Sequence, residues 1–159
     1  MHKFKEGDIQ GIIIRPLTRH ADHRGWLVEL FRQDELEKGY FPVMSYISIT
    51  NPGTVRGPHE HVDQADLFGF IGPSDFKVYL WDNRKESPTY GNKMVVVAGE
   101  NSPSSVLVPP GVVHAYENIG KTAGMVANYP NRLFAGWGKK EKVDEIRYES
   151  DPDSIYQLD

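Results

Sequence analysis

The chain has 159 residues, a net charge of −4 and no cysteine. That length supports one domain with a real core, and the acidic balance argues against a general nucleic-acid or membrane-surface binder. Without cysteine there is no disulfide, thiolate nucleophile or cysteine-ligated metal. The longest apolar run is a few residues, too short for a transmembrane helix, and the first eight residues lack the apolar core of a signal peptide. A soluble, cytoplasmic protein is expected. Gly and Pro are frequent without any low-complexity run, which suits many short strands joined by tight turns.

Ile9 to Arg15 is an apolar run ending at Pro16 and predicts a first strand. Asp22-His-Arg24-Gly25 predicts a turn, followed by a strand over Trp26 to Phe31. Gln33 to Lys38 has room for a helical turn or two at most. Val43 to Thr50 alternates and is β-branched, which predicts a strand of period two. Asn51-Pro-Gly53 then turns the chain into Thr54-Val-Arg56-Gly-Pro-His59-Glu-His61, with Asp66 five residues later. Further strands are predicted over Asp66 to Ile71, Phe76 to Trp81, Lys93 to Ala98, Ser105 to Val108, Val112 to Tyr116 and Gly124 to Asn128. After about residue 130 the rhythm is lost. Residues 1–159 therefore read as one all-β domain, a barrel or double-sheet jelly roll with little helix and an irregular tail.

His2, His20 and His23 read as surface residues. His59 and His61 are two apart, so an extended strand puts both imidazoles on one face. His114 follows a Pro109-Pro-Gly111 turn downstream. The spacing His-x-His-x4-Asp, then Pro-x-Gly-x2-His-x3-Asn, resembles the two motifs of the cupin superfamily. Its metal-binding members imply His59, His61, Asp66 and His114 as ligands of zinc, nickel, manganese or iron, if a metal is bound.

A second resemblance covers nearly the whole chain. Asp22-x-Arg24-Gly25-x3-Glu29, Val55-Arg56-Gly57-x-His59, Asp82-x-Arg84 with Ser87-Pro-Thr-Tyr-Gly91, Pro109-x-Gly111-x2-His114 and the tail Asp144-Glu-Ile-Arg-Tyr are similar to dTDP-4-dehydrorhamnose 3,5-epimerases. The resemblance implies a cupin jelly roll that needs no cofactor. It also implies Arg24 and Glu29 as nucleotide ligands reaching from a partner subunit, and hence a homodimer. Arg56 would bind the diphosphate, His59 would be the base, Asp151 would orient it, His114 would touch substrate, and Trp137 would stack on the nucleotide base. The family's general-acid tyrosine, counted from His114, falls on Ala127, with Tyr129 two residues on as its replacement. The family lysine falls on Asp66, and His61 stands where glutamine is usual. Residues Tyr46 to His61 also resemble the dTDP-sugar 3,4-ketoisomerases, which use paired histidines.

The implied function is a nucleotide-sugar epimerase or isomerase in deoxysugar and polysaccharide biosynthesis. It would act on a 4-keto-6-deoxysugar nucleotide by removing the proton beside the carbonyl. With the tyrosine and lysine absent, exchange or single epimerisation is expected ahead of double inversion. A metal-dependent cupin, such as a dioxygenase or small-molecule isomerase, and a non-catalytic sugar-nucleotide-binding cupin are the alternatives.

Overall fold

β-Branched and aromatic residues at period two pair into short strands when turns of Gly, Pro and Asn bring them back on themselves. The computed structural model describes residues 4–159 and is nearly all strand and loop. A six-stranded sheet runs β1 (Lys5–Glu6), β9 (Asn92–Gly99), β8 (Asp75–Asp82), β11 (Val112–Asn118), β6 (Val55–Glu60) and β13 (Ile146–Arg147) in spatial order. A five-stranded sheet runs β2 (Ile13–Pro16), β10 (Ser104–Val108), β7 (Asp66–Phe70), β12 (Gly124–Asn128) and β5 (Tyr46–Thr50). β3 (Arg19–Asp22) and β4 (Gly25–Val28) form a separate hairpin whose two-residue turn is held by Asp22 Oδ1 accepting from Arg24 N. No helix is long and apolar enough to cross a membrane among the described residues.

The alternation of β8 shows how the layers stack. Phe76, Val78 and Leu80 join Phe68, Phe70, Val106, Val108, Val112, Tyr116 and Val126 in the core between the two large sheets. Tyr79 and Trp81 point the other way and pack with Phe4, Tyr148, Tyr156 and Leu158. The six-stranded sheet is thus covered on its outer face by the two ends of the chain, and its central strands are buried on both sides.

The predicted all-β jelly-roll class holds, and most strand positions fall within a residue or two of expectation. Four readings change, the strand predicted as far as Phe31 among them, since it ends at Val28. The first long strand begins at Ile13 because Ile9 closes a turn with Ile12 and buries its own side chain in the core. The strand predicted from Val43 starts at Tyr46, since Val43 N is already bonded to Pro130 O. The tail is less irregular than its composition implies: β13 pairs Ile146 with Glu60 and Arg147 with His59, closing the barrel over the histidine strand.

Candidate active site

The site grows from a bulge. Across the β6–β11 pair, His59 lies opposite His114 and Arg56 opposite Tyr116, so two residues on β6 face one on β11. Gly57 sits in the bulge with φ of +86°, and a Cβ there would lie 2.5 Å from the His114 carbonyl oxygen. Only glycine permits this approach. Beyond it, His59 and His61 point inward and the intervening Glu60 points outward. Glu60 accepts from Asn83 Nδ2 at 3.0 Å and from Tyr148 Oη at 2.6 Å, which pins the strand from behind.

Three imidazoles converge in the barrel mouth. The His59 and His114 rings are 4.5 Å apart edge to face, and His61 lies 5.7 Å and 5.8 Å from them. Asp66, on β7 of the opposite sheet, is fully buried beneath them. Its Oδ2 is 3.1 Å from His61 Nε2 and 3.3 Å from His114 Nε2, the latter outside hydrogen-bonding geometry. Its Oδ1 accepts from Gln64 Nε2 and Asn128 Nδ2, each at 2.9 Å. His114 Nδ1 is 3.0 Å from Val112 O, and His61 Nδ1 contacts the Asp144 carbonyl oxygen. The Asp144 carboxylate in turn accepts from the backbone N–H groups of Val62, Asp63 and Gln64.

These contacts sort the charges. Burial works against a cation at His61, yet the Asp66 carboxylate and the Asp144 carbonyl overcome it and push the imidazole up to about 9. Burial also opposes charge on Asp66, but the facing His114 and His61 hold it far below the usual carboxylate range. His59 goes the other way. Burial first, then the neighbouring His114 and His61, push it down to about 2, so it is a neutral imidazole with a lone pair.

Two adjoining cavities open on this cluster. The smaller, about 320 Å³, is lined by His59, Arg56, Tyr46, Phe68, Tyr116 and Arg147 among others. The larger, about 670 Å³, carries His61, Asp144, Phe134 and Trp137. Tyr46, Glu145 and Arg147 line both, so the two adjoin. The unprotonated His59 faces the smaller one.

The structure brings His59, His61, His114, Asp66 and Arg56 together. Arg56 is held by Nε to Thr50 Oγ1 at 2.9 Å and Nη2 to Ile49 O at 2.8 Å, at the cavity edge. Trp137 is 83% exposed on the larger cavity. Arg24 and Glu29 are elsewhere: Arg24 is paired to Asp22 on the exposed hairpin, and Glu29 lines a separate cleft with Ile13 and Arg15. Asp151 is also apart. It is exposed, its carboxylate accepts from Asp153 N in its own turn, and it makes no hydrogen bond or ion pair with His59.

Tyr129 needs a correction. Side chains alternate along β12, and Asn128 is the residue that faces the interior and reaches Asp66. Ala127 and Tyr129 therefore face outward, where Ala127 lies beside Gly69 and Leu30, and Tyr129 packs on Phe31 at 5.1 Å. The expected general-acid position and its replacement thus share the outer face, away from the site. Residues it missed are Tyr46, Asn128, Gln64 and Asp144. Tyr46 was legible as the first inward position of an alternating strand; Asp144 was not, because only the return of β13 puts it under His61.

The chain has relatives among known proteins. A curated relative 36% identical over 128 residues, covering 80% of this chain and 81% of its own, is the probable low-salt glycan biosynthesis epimerase Agl13 of Haloferax volcanii. Another, 32% identical and covering 92% and 93%, is the spore coat polysaccharide biosynthesis protein SpsL of Bacillus subtilis. The dTDP sugar isomerase of Desulfovibrio desulfuricans G20 superposes with a TM-score of 0.79 over 91% of this chain and 87% of that one, at 23% identity, and so shares the fold. The dTDP-4-dehydrorhamnose 3,5-epimerase sequence model matches residues 6–136, and the chain belongs to that family.

Proposed function

We propose that the chain inverts a carbon beside the keto group of a dTDP-linked 4-keto-6-deoxysugar, for the building of a glycan or polysaccharide. Family membership supports the reaction class, and the relatives' names support the pathway class. The observation that carries the reading is the neutral His59 facing a cavity that it shares with Arg56. A C–H bond next to a carbonyl is acidic enough for a positioned imidazole to deprotonate. The resulting enolate is anionic, and the His61 imidazolium and nearby Arg147 supply positive charge at the same cleft. The family lysine is thereby replaced by a cation that Asp66 sustains. Arg56 suits the diphosphate through its planar fork, and Trp137 offers a face for the nucleotide base; His114, expected to touch substrate, is buried, lines neither cavity and backs His59 instead. Among the described residues none hydrogen-bonds the His59 ring as Asp151 was expected to; the ring of His114 packs on it instead.

Binding of dTDP followed by calorimetry tests the cleft directly. Arg56→Ala is expected to weaken it by at least ten-fold, consistent with the loss of a charge-assisted hydrogen bond of about 1.5–3 kcal/mol. Unchanged affinity would remove Arg56 from the site.

A homodimer fits this reading. β5 is a free sheet edge with exposed Ile47 and Ile49, and the hairpin exposes Trp26 and Leu27. A twofold partner covering these surfaces would also bring Arg24 and Glu29 toward a neighbouring cleft. Sedimentation at micromolar concentration is expected to give twice the chain mass; a monomer would sink it.

A second reading is favoured by one further observation. The Nδ1 atoms of His61 and His114 both face backbone carbonyls, which directs their Nε2 atoms inward. Ligand atoms of His59, His61 and His114 lie within 4.8 Å of one another, with Asp66 Oδ2 beside two of them. This is how metal-ligating histidines are oriented, and three nitrogens with one carboxylate suit zinc, nickel, manganese or iron. A bound ion would supply Lewis-acid polarisation of the carbonyl. Elemental analysis and titration separate the readings. One ion per chain, lost in His61→Ala, supports the metal-dependent cupin; activity indifferent to chelator supports the metal-free epimerase.

A further inference from the structure

His59 can start an inversion but cannot finish one. Removing a proton from one face of a carbon and returning it to the same face regenerates the starting sugar, so inversion needs a donor on the other side. Resting on the epimerase reading above, we infer that Tyr46 is that donor and that Tyr129 is not.

Tyr46 opens β5, in the five-stranded sheet, whereas His59 lies on β6 in the six-stranded sheet that faces it. Both side chains line the same cavity of about 320 Å³ and come to it from facing sheets, so a sugar ring held between the sheets would meet one on each side. Tyr46 also borders the larger cavity, through which water reaches it. It is cross-strand partner to Asn128, the inward-facing residue of β12. A tyrosine at Ala127 on β12, or at position 129 just beyond it, faces outward, and the phenol has instead been supplied from the neighbouring strand.

The hydrogen bonds leave the phenolic proton for substrate. Asn128 Nδ2 donates to Tyr46 Oη at 2.8 Å and to Asp66 Oδ1 at 2.9 Å. Asn128 cannot be turned over, because its carbonyl oxygen would then face the Asp66 carboxylate. In the orientation present, Asn128 Oδ1 is buried without a partner, a cost accepted to keep the amide N–H groups on Tyr46 and Asp66. Tyr46 Oη is therefore an acceptor toward Asn128, and its own O–H is bonded to nothing among the described residues. Burial, together with the Asp66 charge, pushes the phenol up to about 12, so it carries its proton at neutral pH.

The step balances without an added reagent. His59 takes the proton from carbon, and the C–H electron pair moves to the carbonyl oxygen to give the enolate. Tyr46 O–H then gives its proton to the opposite face of the same carbon, the new C–H bond forms and the carbonyl returns. The phenolate, steadied by Asn128 Nδ2, regains a proton from water, and the His59 imidazolium loses one to water.

The test uses the full chain with dTDP-linked 4-keto-6-deoxyglucose in heavy water, read by NMR for deuterium uptake and for configuration. Tyr46→Phe is expected to keep deuterium uptake beside the carbonyl while inversion falls at least 100-fold, the usual scale of a lost acid. Its dTDP affinity should match the parent protein and it should stay folded, with a thermal midpoint lower by a few degrees because the buried Asn128 Nδ2 loses an acceptor. Tyr129→Phe should invert as the parent does. A Tyr46→Phe protein that inverts within a few-fold of the parent, or that loses uptake and inversion together while still folded and binding dTDP, overturns the assignment and leaves the epimerase reading intact. Loss of inversion in Tyr129→Phe overturns it as well. If the parent protein neither exchanges nor inverts, the epimerase reading itself fails and this assignment falls with it.

Discussion

In heavy water, His59→Ala is expected to leave the hydrogens beside the carbonyl untouched, with uptake and inversion both reduced by about 10²–10⁴-fold. Tyr46→Phe separates those two readouts; His59→Ala does not, because abstraction precedes everything else. The lone pair is present across the physiological range, since burial and two facing imidazoles keep His59 neutral. The unfavourable moment is after abstraction, when the ring becomes an imidazolium beside His61. A bound diphosphate brings negative charge into the same cleft and offsets that repulsion. No neighbour can take over the task. The Nδ1 of His114 is turned to Val112 O, its Nε2 faces Asp66, and the ring is sealed in the core. His61 is already protonated at both nitrogens when it meets Asp144 O and Asp66 Oδ2. Among the described residues the His59 imidazole makes no hydrogen bond, and the residue is only partly buried, so its removal should leave the thermal midpoint nearly unchanged. A folded His59→Ala protein that exchanges as fast as the parent would mean that the base is a different residue.

The barrel was legible because its strands obey period two and its turns carry Gly, Pro or Asn, which are local signals. The histidine cluster was legible for the same reason: His59 and His61 share a face by spacing alone. What local pattern does not carry is which face of a strand is the inside. On β12, Val126 and Asn128 alternate with Ala127 and Tyr129, and both pairs are chemically plausible as interior residues. The choice is made by β5 and β7, where Tyr46 and Phe68 are the register partners of Asn128. A one-residue shift in counting exchanges the two sets completely, which is how Tyr129 came to be expected in the site. The tail illustrates a second limit. Nothing in Asp144-Glu-Ile-Arg147 has strand rhythm, yet two residues pair with Glu60 and His59 because β6 would otherwise be an open edge. The Asp82 motif is a third case. Its conspicuous Arg84, Ser87 and Thr89 all bond to the buried Asp82 carboxylate, at 2.8, 2.6 and 2.6 Å, and so lock a loop while lining neither site cavity.

Asp66→Ala is expected to cost the metal-free protein about 3–5 kcal/mol, the scale of an unmatched buried ion pair. The carboxylate is fully enclosed and holds Gln64, Asn128 and His61 at once. Without it, His61 either remains a cation with no counter-charge or gives up a proton and one of its two contacts. For His61, a rise from 6.5 to about 9 corresponds to roughly 3 kcal/mol of preference for the charged form in the folded state. The sign follows from the direction. A group whose pKa is raised on folding contributes fully below its unfolded value near 6.5, and that contribution is lost as pH climbs through about 9. Asp66 is depressed, so its share is present above the ordinary carboxylate range and is lost as pH falls far below it. These are two ends of one interaction and are counted once. Thermal melts in chelator should therefore show the parent protein losing stability between pH 6.5 and pH 9.5. At pH 6.5 the Asp66→Ala midpoint should be lower by about 10 °C, using roughly 2–4 °C per kcal/mol for a domain of this size. The decisive comparison is the alkaline slope, because a simple cavity would lower every midpoint equally. Asp66→Ala should lose most of that slope, since His61 no longer has a charge to gain by folding. An Asp66→Ala protein that keeps the full alkaline decline would show that the ion pair with His61 does not set the stability of this site.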